Sequence, residues 1–206
     1  MNPAPLTTVI AVSVLAATAS GQAIPGSPAG ALQVHYAARL NAGDSVINIT
    51  NAGTQNTPTG AVTNICANVY AFTVDEALFS CCSCTVTPDA LVSISVQHDM
   101  FPNVLMLILP SALVVKVIAS TGRCNASSVA AANLADGLAA WGSKLHSVTV
   151  GGVTTLGTTE TPFVQKGLSA ADLARLTGYC GFIQAIGSGF GICRSCRQGG
   201  LGATKQ

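Results

Sequence analysis

The sequence predicts a mainly β fold: an antiparallel β-sandwich-like single domain, to which disulfides pin a C-terminal helix. Three observations support this prediction. Several segments alternate apolar and polar residues with a period of two, which is the pattern of half-buried strands. Clusters of glycine, proline, asparagine and threonine separate these segments and are typical of turns. Eight cysteines are present, and an even number of cysteines in an exported chain indicates a disulfide framework.

Residues 1–23 are predicted to be a signal peptide. Residues 6–20 form an apolar stretch of the length expected for the hydrophobic region of such a peptide, although residues 1–5 contain no Lys or Arg. Small residues at Gly21 and Ala23 place the expected cleavage after Ala23. An uncleaved anchor and a core element are the alternatives, and the stretch is shorter than the ~20 residues that a membrane span needs.

The chain after residue 23 divides into three predicted segments. Residues 24–43 begin with a Pro/Gly-rich stretch and are predicted to be a lead-in segment. Residues 44–196 contain the remaining predicted strands, the helix and all eight cysteines, so we expect them to form one β-rich, disulfide-stabilised domain. Residues 197–206 are predicted to be a flexible tail.

Residues 44–50, 61–74 and 89–99 are predicted to be strands because their apolar residues alternate and are often β-branched or aromatic. Residues 51–60 between them are dense in turn formers and predict a loop. In the second of these strands, one face carries Ile65, Ala67, Val69 and Ala71, and the other carries Cys66, Asn68, Tyr70 and Phe72.

Residues 103–120 are the most apolar part of the chain after the N-terminal segment. A membrane-spanning helix is one interpretation of such a stretch. Pro110 removes a backbone donor from its middle and Lys116 places a charge near its end, which a spanning helix tolerates poorly. The favoured prediction is therefore two buried strands that join at residues 110–111, and no membrane span is expected after signal removal.

Residues 127–141 do not predict one structure. Apolar residues with helical spacing continue from this region into the next, but nearby glycines weaken the helical interpretation; the spaced residues are Leu134, Leu138, Trp141 and Leu145. Residues 146–163 predict a β-hairpin that turns at Gly151 and Gly152 and is followed by a loop.

The clearest helix is predicted over residues 169–189. Ser169 is a favourable N-cap, and Asp172 suits the positive end of the helix dipole. Glycines end the helix. Its apolar stripe, which we expect to face the core, consists of Leu173, Leu176, Cys180 and Ile183.

The candidate site residues are the eight cysteines, all predicted to form structural disulfides: Cys66, Cys81, Cys82, Cys84, Cys124, Cys180, Cys193 and Cys196. The sequence does not choose among the many connectivities that eight cysteines allow. Neighbours in a strand point to opposite faces, so Cys81 and Cys82 are expected to have different partners, whereas Cys82 and Cys84 share a face. The helix cysteine and the two cysteines that follow it are the expected partners of this cluster.

A metal site and a redox site are the alternatives for these cysteines. Residues 193–196 have CxxC spacing and residues 81–84 supply three more thiols, and zinc and iron–sulfur sites use four such ligands. A single CxxC is a weak pattern, and a redox CxxC is expected at a helix N-terminus instead of near the chain end. No metal and no cofactor are therefore predicted.

The chain carries very little charge. Lys and Arg number 9, Asp and Glu number 8, and together they are 8% of the residues, against about 25% in typical soluble domains. Nucleic acid is not an expected partner because no basic run is present. A neutral surface rich in Thr, Ser, Asn and Gly repels other surfaces weakly, which favours adhesion and self-association.

No catalytic residue is predicted. The three histidines lack a second ligand at metal-binding spacing; they are His35, His98 and His146. His98 and Asp99 are predicted to be a water-exposed pair at a strand end. Three carboxylates flank the cysteine cluster and suggest a Ca²⁺ loop without matching its known pattern; they are Asp75, Glu76 and Asp89.

Four blocks of the sequence resemble an uncharacterised family of secreted, cysteine-rich bacterial proteins. The blocks are residues 65–96, which include "CCSCTVTPDAL", and residues 140–146, 159–163 and 173–196, the last of which ends in "GSGFGICRSC". The resemblance covers most of the chain after residue 23. It implies export, and it implies no activity and no functional residues.

The functional prediction is a non-enzymatic structural or adhesion-type protein, either secreted or held in the cell envelope. Its expected partners are other copies of itself or other surface components. One alternative is an extracellular binding module that holds a small apolar ligand or a glycan in the gap between two sheets. An enzyme of unrecognised type is the third hypothesis.

Overall fold

The computed structural model describes residues 22–54, 62–100, 108–187 and 193. The strands are β1 (Leu32–Ala37), β2 (Ser45–Asn51), β3 (Ile65–Phe72), β4 (Leu78–Val86), β5 (Leu91–Ser95), β6 (Leu113–Ser120), β7 (Leu138–Val150), β8 (Val153–Pro162) and β9 (Val164–Lys166). The helix α1 spans Ala170–Ala185. Short 3₁₀ turns lie at Leu40–Ala42 and Ala131–Asn133, and a π-helical turn lies at Val96–Met100.

The strands form two antiparallel sheets, which confirms the predicted fold class. One sheet has the strand order β4-β3-β6-β1-β9, and the other has the order β5-β2-β7-β8. Consecutive strands change sheet several times along the chain, so each sheet is built from distant segments. The predicted signal peptide, except its last two residues, and the predicted tail lie outside the described residues.

The space between the two sheets is filled by buried apolar side chains. The alternation in β3 corresponds to its two faces, and the residues of one face belong to this core, among them Ile65, Ala67 and Val69. From the facing sheet, β2 contributes Ile47 and Ile49, which have no exposed surface. In the part of the chain that the structure describes, the space between the sheets is therefore a packed hydrophobic core.

The second face of β3 is also buried, because α1 packs over the five-stranded sheet. The predicted helical stripe is confirmed as buried, namely Leu173, Leu176, Cys180 and Ile183. Ser169 caps the helix, since its side-chain oxygen accepts a hydrogen bond from the Asp172 backbone N–H at 3.1 Å. Beneath the helix, the buried Tyr70 hydroxyl donates to the Ala126 carbonyl at 2.7 Å.

A strand lies inside the predicted lead-in segment. Strand β1 pairs with β6 along its whole length and with β9 over three residues. Gln33 on this strand is 3% exposed and connects the sheets: its amide nitrogen donates to the Leu138 carbonyl at 2.7 Å, and its amide oxygen accepts from the Ala140 N–H at 3.2 Å. Part of residues 24–43 therefore belongs to the folded domain.

Two other sequence interpretations need correction. In residues 103–120 the second predicted strand is β6, but Ile108 is 82% exposed, so the first predicted strand does not continue into a buried join at Pro110; residues 101–107 lie outside the description. The helical interpretation around Trp141 is wrong, because β7 begins at Leu138 and runs through this residue. No helix among the described residues is long and apolar enough to cross a membrane.

Candidate interaction surface

Three disulfides are present among the described cysteines: Cys66–Cys124, Cys81–Cys180 and Cys82–Cys193. The adjacent residues Cys81 and Cys82 point to opposite faces of β4 and have different partners, as predicted. Cys82 and Cys84 share the face toward the core, also as predicted. Cys84 is disulfide-bonded as well, and the eighth cysteine, Cys196, lies outside the described residues.

The disulfides explain how the helix is held. Cys81–Cys180 joins the middle of β4 to the middle of α1 with a Cα–Cα distance of 5.7 Å. Cys82–Cys193 connects the same strand, on its core side, to a residue beyond the helix. The C-terminal region is therefore fastened to both faces of one edge strand.

The prediction of a water-exposed pair holds for His98, which is exposed, and is wrong for Asp99. Asp99 is 7% exposed, and its carboxylate accepts a hydrogen bond from the Ser95 backbone N–H at 2.7 Å. The backbone N–H of His98 donates to the Ser95 hydroxyl at 2.9 Å. Asp99 therefore stabilises the π-helical turn that follows β5, and its bonds are structural.

The three carboxylates considered for Ca²⁺ lie at opposite ends of β4. Asp75 and Glu76 belong to the turn before this strand, and Asp89 belongs to the turn after it. Nine residues of strand separate the two turns, a distance of about 30 Å at ~3.3 Å per residue. They cannot share an ion. Within the described residues, no group of three or more His, Cys, Asp or Glu side chains is arranged to hold a metal ion.

The largest exposed feature is the β7–β8 hairpin, which turns at Gly151 and Gly152 as predicted. The first residues of β7 alternate between buried and exposed positions, but after Gly142 none is buried. Every residue of β8 is at least partly exposed. The outer part of the hairpin therefore extends beyond the sandwich core as a two-stranded ribbon.

Apolar side chains lie on this ribbon in water. Leu156 is 77% exposed, Val150 is 72% exposed and Val153 is 64% exposed. Most other residues of β8 are threonines, and Glu160 is its single charged residue. Apolar and hydroxyl side chains with high β propensity and little charge are the composition of strands that pair with further strands.

Strand β8 is the edge of its sheet. The two-residue turn makes Val150 and Val153 a hydrogen-bonded pair, so alternate residues of β8 direct their N–H and C=O groups away from β7. The residues with outward-directed backbone groups are Thr154, Leu156, Thr158, Glu160 and Pro162. In the described part of the chain no strand pairs with this edge.

The base of the hairpin is held against β1. The His35 imidazole stacks on the Phe163 ring with a centroid distance of 4.7 Å and an interplanar angle of 13°. The ring also lies directly over Gly142, because a Cβ atom there would be 2.3 Å from His35 Nε2. Burial lowers the pKa of His35 from its ordinary value. His35 is thus a packing residue between the sheets.

Lys144 is fixed close to this base. Its ammonium donates to the backbone carbonyls of Arg39 and Gly43, each at 2.7 Å. Burial is the main cause that lowers the pKa of Lys144, and the nearby carboxylate of Asp44 acts in the opposite direction. The Lys144 ammonium is therefore already hydrogen-bonded within the protein.

Trp141 is not among the predicted site residues, because its spacing from other apolar residues suggested a helix. In β7 the side chains of Leu138 and Ala140 face the core, so Trp141 lies on the outer face of the four-stranded sheet. The period-two pattern that leads into the hairpin does indicate a strand at Trp141. That pattern is weak here because its core positions are occupied by Ala140 and Gly142.

No protein-family model, curated protein or solved structure matches this chain. The resemblance to a secreted bacterial family therefore stays a prediction.

Proposed function

We propose that the protein is an exported, non-enzymatic structural protein of the cell envelope or extracellular space that assembles with copies of itself through the edge of β8. The observation that carries this proposal is the β7–β8 hairpin, which presents a ten-residue edge strand beyond the packed core. An unprotected edge strand offers a row of backbone donors and acceptors to a second strand.

A second copy can pair antiparallel with β8 around a two-fold axis at Gly157. Thr154 then lies opposite Glu160 of the second copy, and Leu156 lies opposite Thr158 of the second copy. All four of these residues direct their backbone groups outward, so up to about eight hydrogen bonds form across the axis. The same surface patch serves both copies, as in most closed dimers.

The charges on the hairpin do not oppose this pairing. The two Glu160 carboxylates in the pair are six strand residues apart, or about 20 Å. Lys144 is bonded to the Arg39 and Gly43 carbonyls, so it adds no free cation at the edge. Edge strands that avoid association usually carry lysines or inward-pointing charges, and β8 has neither.

The disulfides support the exported location. At least three bridges connect segments that are 58 to 111 residues apart in the chain, and such bridges persist mainly in oxidising compartments. The apolar stretch over residues 6–20 supports export independently. A structural role agrees with the few charged groups, since Asp99 and His35 have packing and hydrogen-bonding roles in the fold.

Cleavage after Ala23 would remove the isolated bridge between Ala23 and Ser169 but can keep a neighbouring contact. The Ile24 N–H donates to the Leu168 carbonyl at 2.8 Å, and an ammonium created at Ile24 can keep this hydrogen bond. Intact-mass measurement of the protein secreted by its expression host should therefore give a chain that starts at Ile24. A released chain that retains residues 1–23 would contradict the cleavage position, and a chain that stays inside the host would contradict the export proposal.

Self-association is tested with the mature, oxidised protein by sedimentation velocity over a range from micromolar to near-millimolar concentration. The wild type should sediment increasingly as a dimer or larger species. Thr158→Pro removes an outward N–H without removing a bond to β7, so this variant should remain monomeric and folded. Thr158→Ala keeps the N–H and is the matched control that should still associate.

A second pair of variants tests the same edge by charge. Leu156→Lys places a cation on the edge and should weaken association roughly tenfold or more, because the two lysines of a pair lie only two strand residues apart across the axis. Phe182→Lys is the control, since Phe182 is 65% exposed on α1, away from the hairpin. A wild type that is strictly monomeric at the highest concentration would overturn the proposal, as would association that Thr158→Pro and Leu156→Lys leave unchanged.

A further inference from the structure

The outer face of the four-stranded sheet is not covered by any element of the described part of the chain. Much of the five-stranded sheet is buried on both faces, one by the core and one by α1, although Tyr36 of β1 and Val164 of β9 are exposed. By contrast, Leu91 of β5, Ala139 of β7 and Leu145 of β7 are exposed on the outer face of the four-stranded sheet, and Val46 of β2 is partly exposed. Water reaches these residues.

The chain has one tryptophan, and Trp141 lies on this uncovered face. It is the direct cross-strand neighbour of Asn48 in β2 and of Pro162 in β8, and its side chain is partly exposed. Among the described residues, no acceptor is bonded to its indole N–H. A large aromatic ring is normally placed in the core or at a binding surface, and this ring is not in the core.

A chain of hydrogen-bonded polar side chains crosses all four strands beside the indole. The Ser93 hydroxyl donates to the Asn48 Oδ1 at 2.7 Å, and Asn48 Nδ2 donates to the Ser143 hydroxyl at 2.8 Å. The Ser143 hydroxyl donates to Glu160 Oε1 at 3.3 Å. The amide and the hydroxyl are held by their neighbours, and the row passes Trp141 at its cross-strand neighbour Asn48.

From this arrangement we infer that the outer face of the four-stranded sheet binds a neutral saccharide, with Trp141 stacking on a pyranose ring. A pyranose has an apolar C–H face, which matches the indole surface, and hydroxyls around its rim, which match fixed amide and carboxylate groups. Glu160 is exposed and retains a second carboxylate oxygen for a sugar hydroxyl. Asn48 is 9% exposed and retains a second amide hydrogen, which a hydroxyl of a stacked sugar would have to approach at the edge of the ring. Binding sites usually combine an aromatic surface with a few such polar groups.

The charges favour a neutral sugar over an acidic one. Glu160 is the nearest charged side chain in the polar row, and it would repel a uronic acid, a phosphate or a sulfate. The nearest cation on the strand of Trp141 is Lys144. Its side chain points to the inner face and is bonded to two backbone carbonyls. The inference is independent of self-association, because it rests on the sheet face and not on the β8 edge.

The single tryptophan gives a direct measurement. The mature protein is titrated with hexasaccharides of glucose and of N-acetylglucosamine, in both β-1,4 and β-1,3 linkage for glucose, while the indole emission is recorded. At least one probe should produce a saturable shift or quench in emission. Isothermal calorimetry on the same probes supplies an affinity for variants that lack the indole.

Variants separate stacking from hydrogen bonding. Trp141→Ala should weaken binding of the active probe roughly tenfold or more, because a buried aromatic anchor usually dominates an interface. Asn48→Ala should weaken it by about two- to tenfold, the effect of one or two hydrogen bonds. Tyr179→Ala is the matched control, because Tyr179 is an exposed aromatic on α1, and it should leave the affinity unchanged.

Three outcomes overturn the inference. No probe of the panel produces a saturable signal; or Trp141→Ala binds as tightly as the wild type while remaining folded by circular dichroism; or the emission changes with protein concentration alone and not with sugar. The last result would place Trp141 in the contact between copies. Titration of the monomeric Thr158→Pro variant keeps the two proposals separate, since sugar binding must persist there.

Discussion

The two outer faces of the sandwich differ in almost every physical respect. The outer face of the five-stranded sheet is covered by α1 and fastened by Cys81–Cys180. The outer face of the four-stranded sheet is open and ends in a hairpin whose residues 142–162 contain no cysteine. The first face contributes stability to the fold, and the second carries the two proposed binding surfaces.

Sequence composition accounts for this difference. Strand β3 has buried side chains on both faces because Tyr70 and Phe72 supply a second apolar layer under the helix. The corresponding outer positions of β2 and β7 carry Asn48 and Ser143, which are hydrogen-bonded to one another. The apolar residues of this face are interrupted by such polar side chains, so it lacks the continuous apolar layer that packs against α1 on the other sheet.

The largest test of this comparison removes the cross-link on the covered face. The double variant Cys81→Ala with Cys180→Ala removes a bridge between residues 99 apart in sequence, but the adjacent Cys82–Cys193 bridge remains. The loop that Cys81–Cys180 closes in this cross-linked chain is only about 15 residues long, for which chain entropy predicts a loss of about 3 kcal/mol in unfolding free energy. Urea unfolding of the oxidised protein measures this loss. A matching pair at Cys66 and Cys124, with a separation of 58, should cost about 1 kcal/mol more, because no other bridge among the described residues shortens its loop.

Losses below about 1 kcal/mol for both pairs would contradict the entropic account. They would mean that packing alone holds the helix to the sheet. The covered face would then not depend on its cross-link, and the contrast between the two faces would rest only on apolar burial.

The second test compares one leucine from each face. Leu176 on α1 has no exposed surface, whereas Leu156 on β8 is 77% exposed. Leu176→Ala should reduce the unfolding free energy by about 2 to 5 kcal/mol, and Leu156→Ala by less than about 0.5 kcal/mol. Urea unfolding at low protein concentration measures both. A large loss for Leu156→Ala in a monomer would show that the hairpin packs on the domain.

The covered face could be predicted from sequence and the open one only in part. The stripe of α1 and the two faces of β3 could be predicted because large apolar residues recur among their buried positions, such as Leu173, Leu176 and Phe72. In β7 the core positions are Ala140 and Gly142, and the His35 ring fills the space above Gly142. Their small size removes the period-two signal, and the outward residues Trp141 and Leu145 then simulate a helical stripe.

Strand β1 was hidden for a similar reason. Its core-facing positions include Gln33 and His35, and polar residues in these positions do not predict burial. Their partners come from β7 and from Phe163, more than a hundred residues away in the sequence. Contacts at this separation depend on the tertiary fold, which local patterns do not contain.

A third test addresses the base of the open hairpin. Gly142→Ala would place a Cβ atom 2.3 Å from His35 Nε2 and 2.8 Å from His35 Cε1, so the ring must move. We expect a loss of about 1 to 3 kcal/mol in unfolding free energy. In a His35→Ala background the same substitution should cost less than about 0.5 kcal/mol. Equal costs in the two backgrounds would show that the ring does not limit the space at Gly142.

The smallest expected effect is a pH dependence that belongs to His35. Burial lowers the pKa of His35 below its ordinary value of 6.5, because the stacked ring is less solvated than in the unfolded chain. The unfolded state therefore binds the proton more readily than the folded state does. The stability that neutral His35 provides is fully present above the unfolded pKa, and it is lost as the pH falls through 6.5 toward the lower folded pKa.

His35→Phe is the matched variant for this prediction, because a phenyl ring can stack on Phe163 and does not titrate. The unfolding free energy is measured in urea at about pH 7.5 and about pH 5 for both proteins. Wild type should lose more stability than His35→Phe between these values, since the carboxylates titrate equally in both. Amide exchange should show where the loss falls: β8 should open faster at the lower pH, while α1, fastened by Cys81–Cys180, should not. Equal losses in the two proteins would mean that the ring keeps enough water to be protonated in place, and the hairpin base would then not respond to pH.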